Sequence, residues 1–399
     1  MTDRGPPKKI LFVDHAPQMA EGLKKMLGSQ PADWDVQIVK SASLALERIA
    51  TQTFDVVVAD VSQAALGGVS VLRHVMENHP DTIRLSISGE RGSEAAVRAP
   101  QVSQKVLARP DDPARLKEAI DRIARLKGQM RDENMRALIS QIDGLPAIPA
   151  VCRELNQALA RDEVSMRDVT AVVEKDPALT AKILQVVNSS FFGLGRRVVN
   201  LQDAVNYLGT SMLQGLVTGM SMWRAIEGIR PQVTAELERV QRRCQSTGLL
   251  ARRMFDKDRF RAEEAFLSGL LHDVGLTLLL VYLPERLDRI RAVAVKEGKN
   301  EETVEPGLYD ITHAELGAYL LDSWGLPFNV IEAVAFHHRS SELGHTELDV
   351  VDAVHIAQAL VYAHRRGGDV PSAVDPAYAE RLGVSPSQFA QWVLWAKES

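Results

Sequence analysis

The chain has 399 residues, of which 45% are hydrophobic and 25% are charged, and its formal net charge is −5. At about 100–200 residues per domain this length predicts two to three domains, and the composition is that of globular domains with buried cores. The acidic balance gives no electrostatic reason to expect nucleic acid or an anionic membrane as the main partner. We therefore expect protein or small-molecule partners, with no nucleic acid and no membrane.

Cysteine content and hydropathy bear on the compartment. The two cysteines, Cys152 and Cys244, are too few and too far apart in sequence for a disulfide framework or a thiolate metal site. Residues 1–9 contain no apolar signal segment. The most apolar stretch, 266–283, carries an adjacent histidine and aspartate near its middle, which favours a buried core helix over a membrane span. We expect a cytoplasmic protein.

The first 127 residues alternate short β-rich apolar runs with amphipathic segments of helical period. The predicted strands are 10–13, 36–39, 55–59, 84–88 and 105–107, and the predicted helices are 19–27, 43–50, 69–77 and 112–126. Wholly apolar runs such as 56–59 imply burial on both faces of a sheet. The pattern predicts an α/β domain over 1–127, a doubly wound parallel five-stranded sheet whose chemistry collects at the carboxyl ends of the strands.

The helical pattern continues past this domain and predicts a helical linker over 128–140. Four apolar residues recur near heptad spacing in this region: Leu116, Ile120, Ile123 and Met130. Two interpretations stay open, the last helix of the domain followed by a solvated tail, or a coiled coil that joins two copies of the chain as a homodimer.

Beyond residue 140 the strand patterns are no longer found, and residues typical of helix ends occur instead. This predicts an all-α domain over 141–399. Ser165, Asp176 and Asn200 stand at positions typical of helix N-caps, and Gly209 is predicted to terminate a helix. The basic residues Arg242, Arg243, Arg252 and Arg253 are interpreted as a solvated helix face, with anion binding as the alternative.

Four polar residues follow strands of the predicted sheet, so that we expect them to share one edge: Asp14, Asp60, Ser88 and Arg109. Their order and spacing resemble the receiver domain of two-component response regulators, a flavodoxin-like fold, over about residues 8–127. The resemblance implies that Asp60 accepts phosphate from the phosphohistidine of a sensor histidine kinase. It also implies that Asp14 and Asp60 bind Mg²⁺, with Ser88 and Arg109 completing the phosphorylation site.

Three departures from the receiver pattern qualify this expectation. The second acid of the family is His15, the lysine is Arg109, and the aromatic switch residue is Val106. Loss of one carboxylate weakens the expected Mg²⁺ site, since an imidazole is a poor ligand for a hard dication. Either Asp60 is phosphorylated, or the receiver fold is kept as an unphosphorylated interaction scaffold.

The helical region resembles the HDOD domain of bacterial signalling proteins over about 139–340, with a helical extension beyond. The segments that carry the resemblance are 145–149, 174–179, 187–193, 204–209, 266–275, 313–317, 324–327 and 337–338. HDOD domains look related to the HD phosphohydrolases, in which histidines and aspartates hold one or two metal ions that activate water. The fold implied is therefore an HD-superfamily-like helical bundle.

The residues of metal-ligating type that match this pattern are His272, Asp273, His313, His337 and His338. Two ligands of the hydrolase pattern are missing, because Gln245 falls at the first histidine and Gln358 at the closing aspartate, although Asp352 lies close enough to leave the latter assignment open. We expect core histidines without metal. The alternatives are a single residual divalent ion, Zn, Mn or Fe, and an active two-metal site.

Together these features indicate a response regulator whose receiver domain modulates the binding of another signalling protein by a degenerate, non-catalytic HDOD output domain. Two alternatives stay open. One is a metal-dependent phosphohydrolase acting on a nucleotide or cyclic dinucleotide, and the other is a cyclic-dinucleotide receptor without hydrolytic activity.

Overall fold

The computed structural model describes residues 8–14, 21, 34–61, 67–79, 82–88, 103, 105–108, 113–130, 133–140, 142, 149–159, 165–187, 198–227, 231–255, 257–324 and 326–398. The chain divides into two compact units, Met1–Gln129 and Met130–Ser399. The first is α/β and the second is helical in its described residues, as predicted.

The N-terminal unit is built on one parallel sheet. Its strands are β1 Lys8–Val13, β2 Trp34–Val39, β3 Val56–Asp60, β4 Ile83–Ser88 and β5 Lys105–Ala108. They lie in the order β2-β1-β3-β4-β5, and every neighbouring pair is parallel. The described helices are α1 Ala42–Thr51, α2 Gly68–Asn78 and α3 Pro113–Met130. The helix predicted at 19–27 falls outside the described residues except for residue 21.

Burial explains why this sequence forms a central sheet. All five residues of β3 are buried, which requires cover on both faces of the strand. In α3, Leu116, Ile120 and Ile123 are at most 1% exposed. These three apolar positions are therefore buried within this chain, and the side chain of Met130 lies outside what the structure describes. The homodimer stays a prediction.

The second unit consists of fifteen described helices and short 3₁₀ turns. The helices are α4 Glu133–Ser140, α5 Ala150–Leu159, α6 Met166–Glu174, α7 Pro177–Val187, α8 Leu201–Glu227, α9 Thr234–Arg253, α10 Arg259–Leu271, α11 Val274–Tyr282, α12 Pro284–Glu297, α13 Glu301–Leu308, α14 His313–Ser323, α15 Phe328–Phe336, α16 Val350–Arg365, α17 Pro376–Arg381 and α18 Pro386–Glu398.

The predicted capping and terminating residues lie at helix ends or at a break in a helix. Ser165 forms a capping box with Asp168 at the start of α6, which satisfies backbone N–H groups that have no partner within the helix. Asn200 accepts a 2.8 Å hydrogen bond from the backbone N–H of Asp203 through Oδ1. Gly209 has φ 78° and interrupts the helical backbone of α8, so the predicted break occurs where expected.

The apolar stretch at α10 and α11 belongs to the interior of this unit. Among the described residues, one segment, Arg261–Tyr282, is long and apolar enough to cross a membrane, and 89% of its most apolar window is buried inside the protein. A core helix of a globular protein has the same composition. In this segment α10 and α11 meet at His272 and Asp273, and both side chains are buried.

The helical extension packs onto the rest of the second unit. Helix α16 contacts α9, α10 and α15. Tyr378 of α17 donates a 2.6 Å hydrogen bond to Oδ1 of Asp352 in α16, and both side chains are buried. The residues after 340 therefore contribute to the same core as the segments before them.

Candidate functional site

The carboxyl ends of β1 and β3 carry two buried aspartates. Val13, the last residue of β1, pairs with Ala59 of β3, so that Asp14 and Asp60 both fall at the same edge of the sheet. Asp14 is 3% exposed and Asp60 is 1% exposed. Because Ser88 ends the neighbouring strand β4, the parallel register places the backbone of that residue at this edge as well.

The backbone of Asp60 is in tight contact with the start of α2. A Cβ atom at Gly68 would lie 2.3 Å from the carbonyl oxygen of Asp60, which no side-chain-bearing residue tolerates. The absence of a side chain thus lets α2 begin directly against the predicted phosphoacceptor. His15 and Arg109 lie outside the described residues, and the structure describes only the backbone at Ser88 and Val106.

In the helical unit, all five predicted metal-ligating residues lie at or beside helix ends. His272 and Asp273 form the junction between α10 and α11, and His313 is the first residue of α14. His337 caps the C-terminus of α15, and His338 follows it. A capping box formed by the side chains of Thr312 and Glu315 fixes the start of α14. Helix termini therefore bring together residues that are up to 66 positions apart in sequence.

Two glycine contacts let these helices approach closely enough to form the cluster. A Cβ at Gly275 would lie 1.7 Å from the carbonyl oxygen of His313, and one at Gly317 would lie 2.9 Å from the backbone nitrogen of Gly275. Helices α11 and α14 are thus in backbone contact beside Asp273 and His313. A Cβ at Gly269 would lie 2.5 Å from Cα of Gly248, so α9 and α10 cross in the same way one turn before His272.

Hydrogen bonds hold one nitrogen of each of three imidazoles. Nδ1 of His272 donates to the carbonyl of Gly269 at 2.7 Å, and Nδ1 of His337 donates to the carbonyl of Val334 at 2.7 Å. Nδ1 of His313 lies 2.6 Å from Oε2 of the buried Glu305. Such partners orient a metal-ligating imidazole and leave its second nitrogen available for a metal.

The second nitrogens of His313, His337 and His338 converge on Asp273. Nε2 of His313 and Nε2 of His337 each lie 3.7 Å from Oδ1 of Asp273. Nε2 of His338 lies 3.2 Å from Nε2 of His313, so in the absence of a metal one of these atoms donates to the other. Nε2 of His337 is buried and has no hydrogen-bond partner among the described residues.

The other oxygen of Asp273 faces a different set of groups. Arg243, in α9, donates to Oδ2 through both Nε, at 2.9 Å, and Nη2. Nε2 of His272 lies 3.2 Å from the same oxygen but makes no hydrogen bond to a described residue. The thiol of Cys244 is buried beside His272, and its sulfur lies within 4.8 Å of the ligand atoms of His272 and Asp273.

Charge coupling perturbs the pKa values across the cluster. Burial raises the pKa of Asp273, but Arg243 and His272 outweigh burial and hold it well below its usual range. Burial likewise opposes the charge of His272, yet Asp273 and Cys244 raise the pKa of His272 to about 10. Burial and the charges of neighbouring histidines hold the pKa of His337 and of His338 well below the usual range. His337 and His338 are therefore neutral at physiological pH, the state in which imidazole binds a metal.

The sequence interpretation of α9 was wrong in two respects. Gln245, which was predicted to occupy the first ligand position, is exposed, and Arg243 and Cys244 face the centre instead. The interpretation of Arg243 as part of a solvated face was also wrong, since its side chain is 20% exposed and paired with Asp273. The burial of Arg243 depends on an ion pair between two helices, and no local sequence pattern encodes such a contact.

Gln358 lies at the position of the closing aspartate of the hydrolase pattern, which was the first of the two assignments, Gln358 and Asp352. Its Nε2 lies 3.4 Å from Nδ1 of His338. Asp352 points elsewhere and pairs with His345 and Tyr378. Sequence reasoning missed Glu305, which follows no recognised motif and reaches His313 across the turn between α13 and α14.

The donor set fits a single divalent metal ion. Asp273, His313, His337 and His338 each offer one ligand atom, and these four atoms all lie within 4.8 Å of one another. Three imidazoles and one carboxylate suit Zn, Mn or Fe(II), and the bonded Nδ1 atoms supply the outer partners that such sites use. The buried, unpaired Nε2 of His337 is an independent indication that this arrangement can hold a cation.

The fold and the two sites define a class of protein, an α/β domain with two buried aspartates at one sheet edge followed by a helical domain with a His/Asp cluster. Comparison with known families agrees. The response regulator receiver domain family matches residues 10–121, and the HDOD domain family matches residues 145–340. The chain therefore carries a receiver domain followed by an HDOD domain, an organisation that fits a signal-transduction response regulator.

Individual relatives are similar over parts of the chain. A protein of Treponema pallidum (strain Nichols), described as uncharacterised, is 26% identical over 204 residues, which are 51% of this chain and 39% of that protein. The protein-glutamate methylesterase/protein-glutamine glutaminase 3 of Geobacter metallireducens is 30% identical over 95 residues, 23% of this chain and 26% of the enzyme. This chain therefore matches well under half the length of each relative.

A solved structure shows the fold of the helical part. The crystal structure of an HDOD domain protein of unknown function from Geobacter sulfurreducens superimposes with a TM-score of 0.52 at 19% identity. The match covers 69% of this chain and 90% of that structure. At this identity the likeness establishes the HDOD fold and not a shared activity.

Proposed function

We propose that this response regulator works in the cytoplasm as an adaptor. A sensor histidine kinase transfers phosphate to Asp60, and the phosphorylated receiver domain changes how the HDOD domain binds another signalling protein. The buried position of Asp14 and Asp60 at one edge of the sheet supports this, because a phosphoryl group there adds close to two negative charges beside a carboxylate. Asp14 and Asp60 would hold a Mg²⁺ ion, whose charge would offset that repulsion.

The observation that carries the non-hydrolytic part of the proposal is the pairing of Arg243 with Asp273. In a two-metal hydrolase, a carboxylate at the centre joins two metal ions that polarise the phosphoester and activate water. Here Oδ2 of Asp273 receives two N–H groups of Arg243. Only Oδ1 is directed toward the histidines His313 and His337. We infer that the HDOD domain binds rather than hydrolyses.

A single divalent ion is consistent with this arrangement. Oδ1 of Asp273 and the Nε2 atoms of His313, His337 and His338 would hold it, with Glu305 orienting His313. When bound, such an ion supplies charge that ties three helix ends together. The residues of the chain then serve to fix the domain surface on which a partner docks, and no bond of a substrate needs to be broken.

Phosphorylation is tested by incubating the full chain with a small-molecule phosphodonor and Mg²⁺ and measuring the intact mass. The expected result is the addition of one phosphoryl group to the parent and none to Asp60→Asn. Absence of any added phosphate at all Mg²⁺ concentrations would leave the receiver domain as an unphosphorylated scaffold and contradict the proposed signal.

Hydrolysis is tested on protein loaded in turn with Zn²⁺, Mn²⁺ and Fe²⁺ and given nucleotides and cyclic dinucleotides. We expect binding of metal without turnover. Turnover that a His313→Ala substitution abolishes would overturn the adaptor function in favour of a metal-dependent phosphohydrolase, because contaminating activity would not respond to this residue.

A further inference from the structure

Asp273 divides the buried cluster of the helical unit into two sides. Oδ1 faces His313 and His337, where the single ion of the proposed function is held. Oδ2 faces His272, at 3.2 Å, and the neighbouring Cys244. The ligand atoms of Cys244, His272 and Asp273 lie within 4.8 Å of one another, and all three residues are buried.

The groups on the Oδ2 side of Asp273 are of the types that bind metal ions. Nδ1 of His272 donates to a backbone carbonyl, and its Nε2 is fully buried without a hydrogen-bond partner among the described residues. Cys244 is a free cysteine at 0% exposure. A thiolate, an imidazole and a carboxylate at this separation are donors that Zn²⁺ and Co²⁺ accept together. The cysteine thus lies beside a buried imidazole and a carboxylate, and does not stand alone.

The side chain of Arg243 already places a positive charge beside this position. The guanidinium of Arg243 places two N–H groups on Oδ2 of Asp273 and is only 20% exposed. Arginine keeps its charge under all physiological conditions, so a metal ion entering beside it would meet a fixed positive charge in a poorly solvated site. It would also compete for an oxygen whose lone pairs already accept two hydrogen bonds.

We propose that Arg243 takes the place of a metal ion at this position. Cys244, His272 and Asp273 then form a latent, thiolate-containing metal position that opens when the charge of Arg243 is removed. The inference rests on the proposed function, which places a single ion on the Oδ1 side. It concerns the difference in metal binding between the parent and variants of Arg243.

Cobalt tests the inference, because a cysteine thiolate bound to Co²⁺ gives a charge-transfer band in the near ultraviolet. The full chain is stripped with a chelator, kept reduced and titrated with Co²⁺, and bound cobalt is counted by mass spectrometry after equilibrium dialysis. Arg243→Gln is expected to bind about one more equivalent than the parent and to gain the thiolate band, as the thiol proton is released to solvent.

Matched variants test whether the loss of charge and the thiol of Cys244 cause the gain of cobalt and of the band. Arg243→Lys keeps the positive charge and should bind as much cobalt as the parent, without the band. The double variant Arg243→Gln/Cys244→Ser should lose the band. Arg243→Met, which removes the charge at similar length, serves as a second opening variant should the Gln variant fail to fold, as judged by circular dichroism.

Four outcomes would overturn the inference: no gain of cobalt in the charge-removing variants, a gain without the thiolate band, an equal gain in Arg243→Lys, or a thiolate band in the parent. The last would show that Arg243 does not close the position. Failure of the proposed function looks different. A parent that binds no cobalt while Arg243→Gln binds one equivalent with the band removes the single-ion centre and leaves the role of Arg243 intact.

Discussion

The contact between α11 and α14 at Gly275 gives the sharpest test of how the His/Asp cluster is assembled. In Gly275→Ala the new Cβ would lie 1.7 Å from the carbonyl oxygen of His313, 2.7 Å from its carbonyl carbon and 2.8 Å from the backbone nitrogen of Gly317. All three are backbone atoms, so no side-chain rotation relieves the overlap. The two helices must separate by about 1.5–2 Å to restore ordinary contact distances.

The expected cost follows from that separation. Overpacking of a close-packed interior costs about 1–3 kcal/mol and more when backbone must move, so we expect the free energy of unfolding to fall by at least that amount. Metal sites require ligand distances within about 0.2 Å, and a displacement of His313 away from Asp273 exceeds this several times over. We expect the affinity for Zn²⁺ to fall by more than the roughly 10–100-fold that loss of an outer partner costs.

Urea unfolding and competition with a chromophoric chelator measure the two effects. The matched control is Gly307→Ala, since Gly307 also lies in a helix of this unit but a Cβ there would meet nothing within 4 Å. That variant should keep metal affinity and gain about 0.5–1 kcal/mol of stability. A Gly275→Ala protein as stable and as metal-avid as the Gly307 control would refute the account of how the helices position the cluster.

Three further predictions concern groups around the cluster. Glu305→Gln removes the charge that orients His313, and chelator competition should show metal affinity reduced by about 10–100-fold; unchanged affinity would deny Glu305 this role. Tyr378→Phe removes a hydrogen bond to the buried Asp352 carboxylate and should lower the urea-derived free energy of unfolding by about 1.5–3 kcal/mol, whereas a neutral effect would contradict the contribution assigned to the extension. In metal-free protein the pKa of His272 is raised to about 10 from an ordinary 6.5, so its contribution to stability is complete below pH 6.5 and is lost as pH rises toward 10; stability that stays level or rises over that interval would be inconsistent with the ion pairs of this residue.

The α/β part of the fold follows from the sequence because its strands are short apolar runs. The run at 56–59 is buried on both faces in the structure, as its composition requires. Helix starts at Ser165 and Asn200 are also predicted, since the capping side chain and the backbone N–H group that donates to it are local in sequence. Local chemistry therefore accounts for the element types and many of their boundaries.

The cluster itself is only partly predictable. The residues of ligand type at His272, Asp273 and His313 stand out by their chemistry, but the partner on α9 does not. A helix turns by about 100° per residue, so the two-residue shift from Gln245 to Arg243 rotates the side chain to the opposite face of the helix. Which face is buried depends on the crossing of α9 and α10 at Gly248 and Gly269, a long-range contact that no local pattern contains.

The near-heptad spacing in α3 illustrates the converse problem. The spacing of Leu116, Ile120 and Ile123 satisfies a heptad seam and the inner face of a domain helix equally well. Within the chain these side chains are at most 1% exposed. Periodicity identifies an apolar face but does not identify the surface that covers it.

The central claim is that phosphate at Asp60 changes the state of the helical unit, and amide hydrogen exchange measures this without knowledge of the partner. Full-length parent and Asp60→Asn are compared before and after treatment with a phosphodonor and Mg²⁺, with intact mass confirming the modification. The account predicts altered exchange in peptides from residues 130–399 of the parent and none in Asp60→Asn. Stoichiometric phosphate on Asp60 with unchanged exchange throughout residues 130–399 would contradict it.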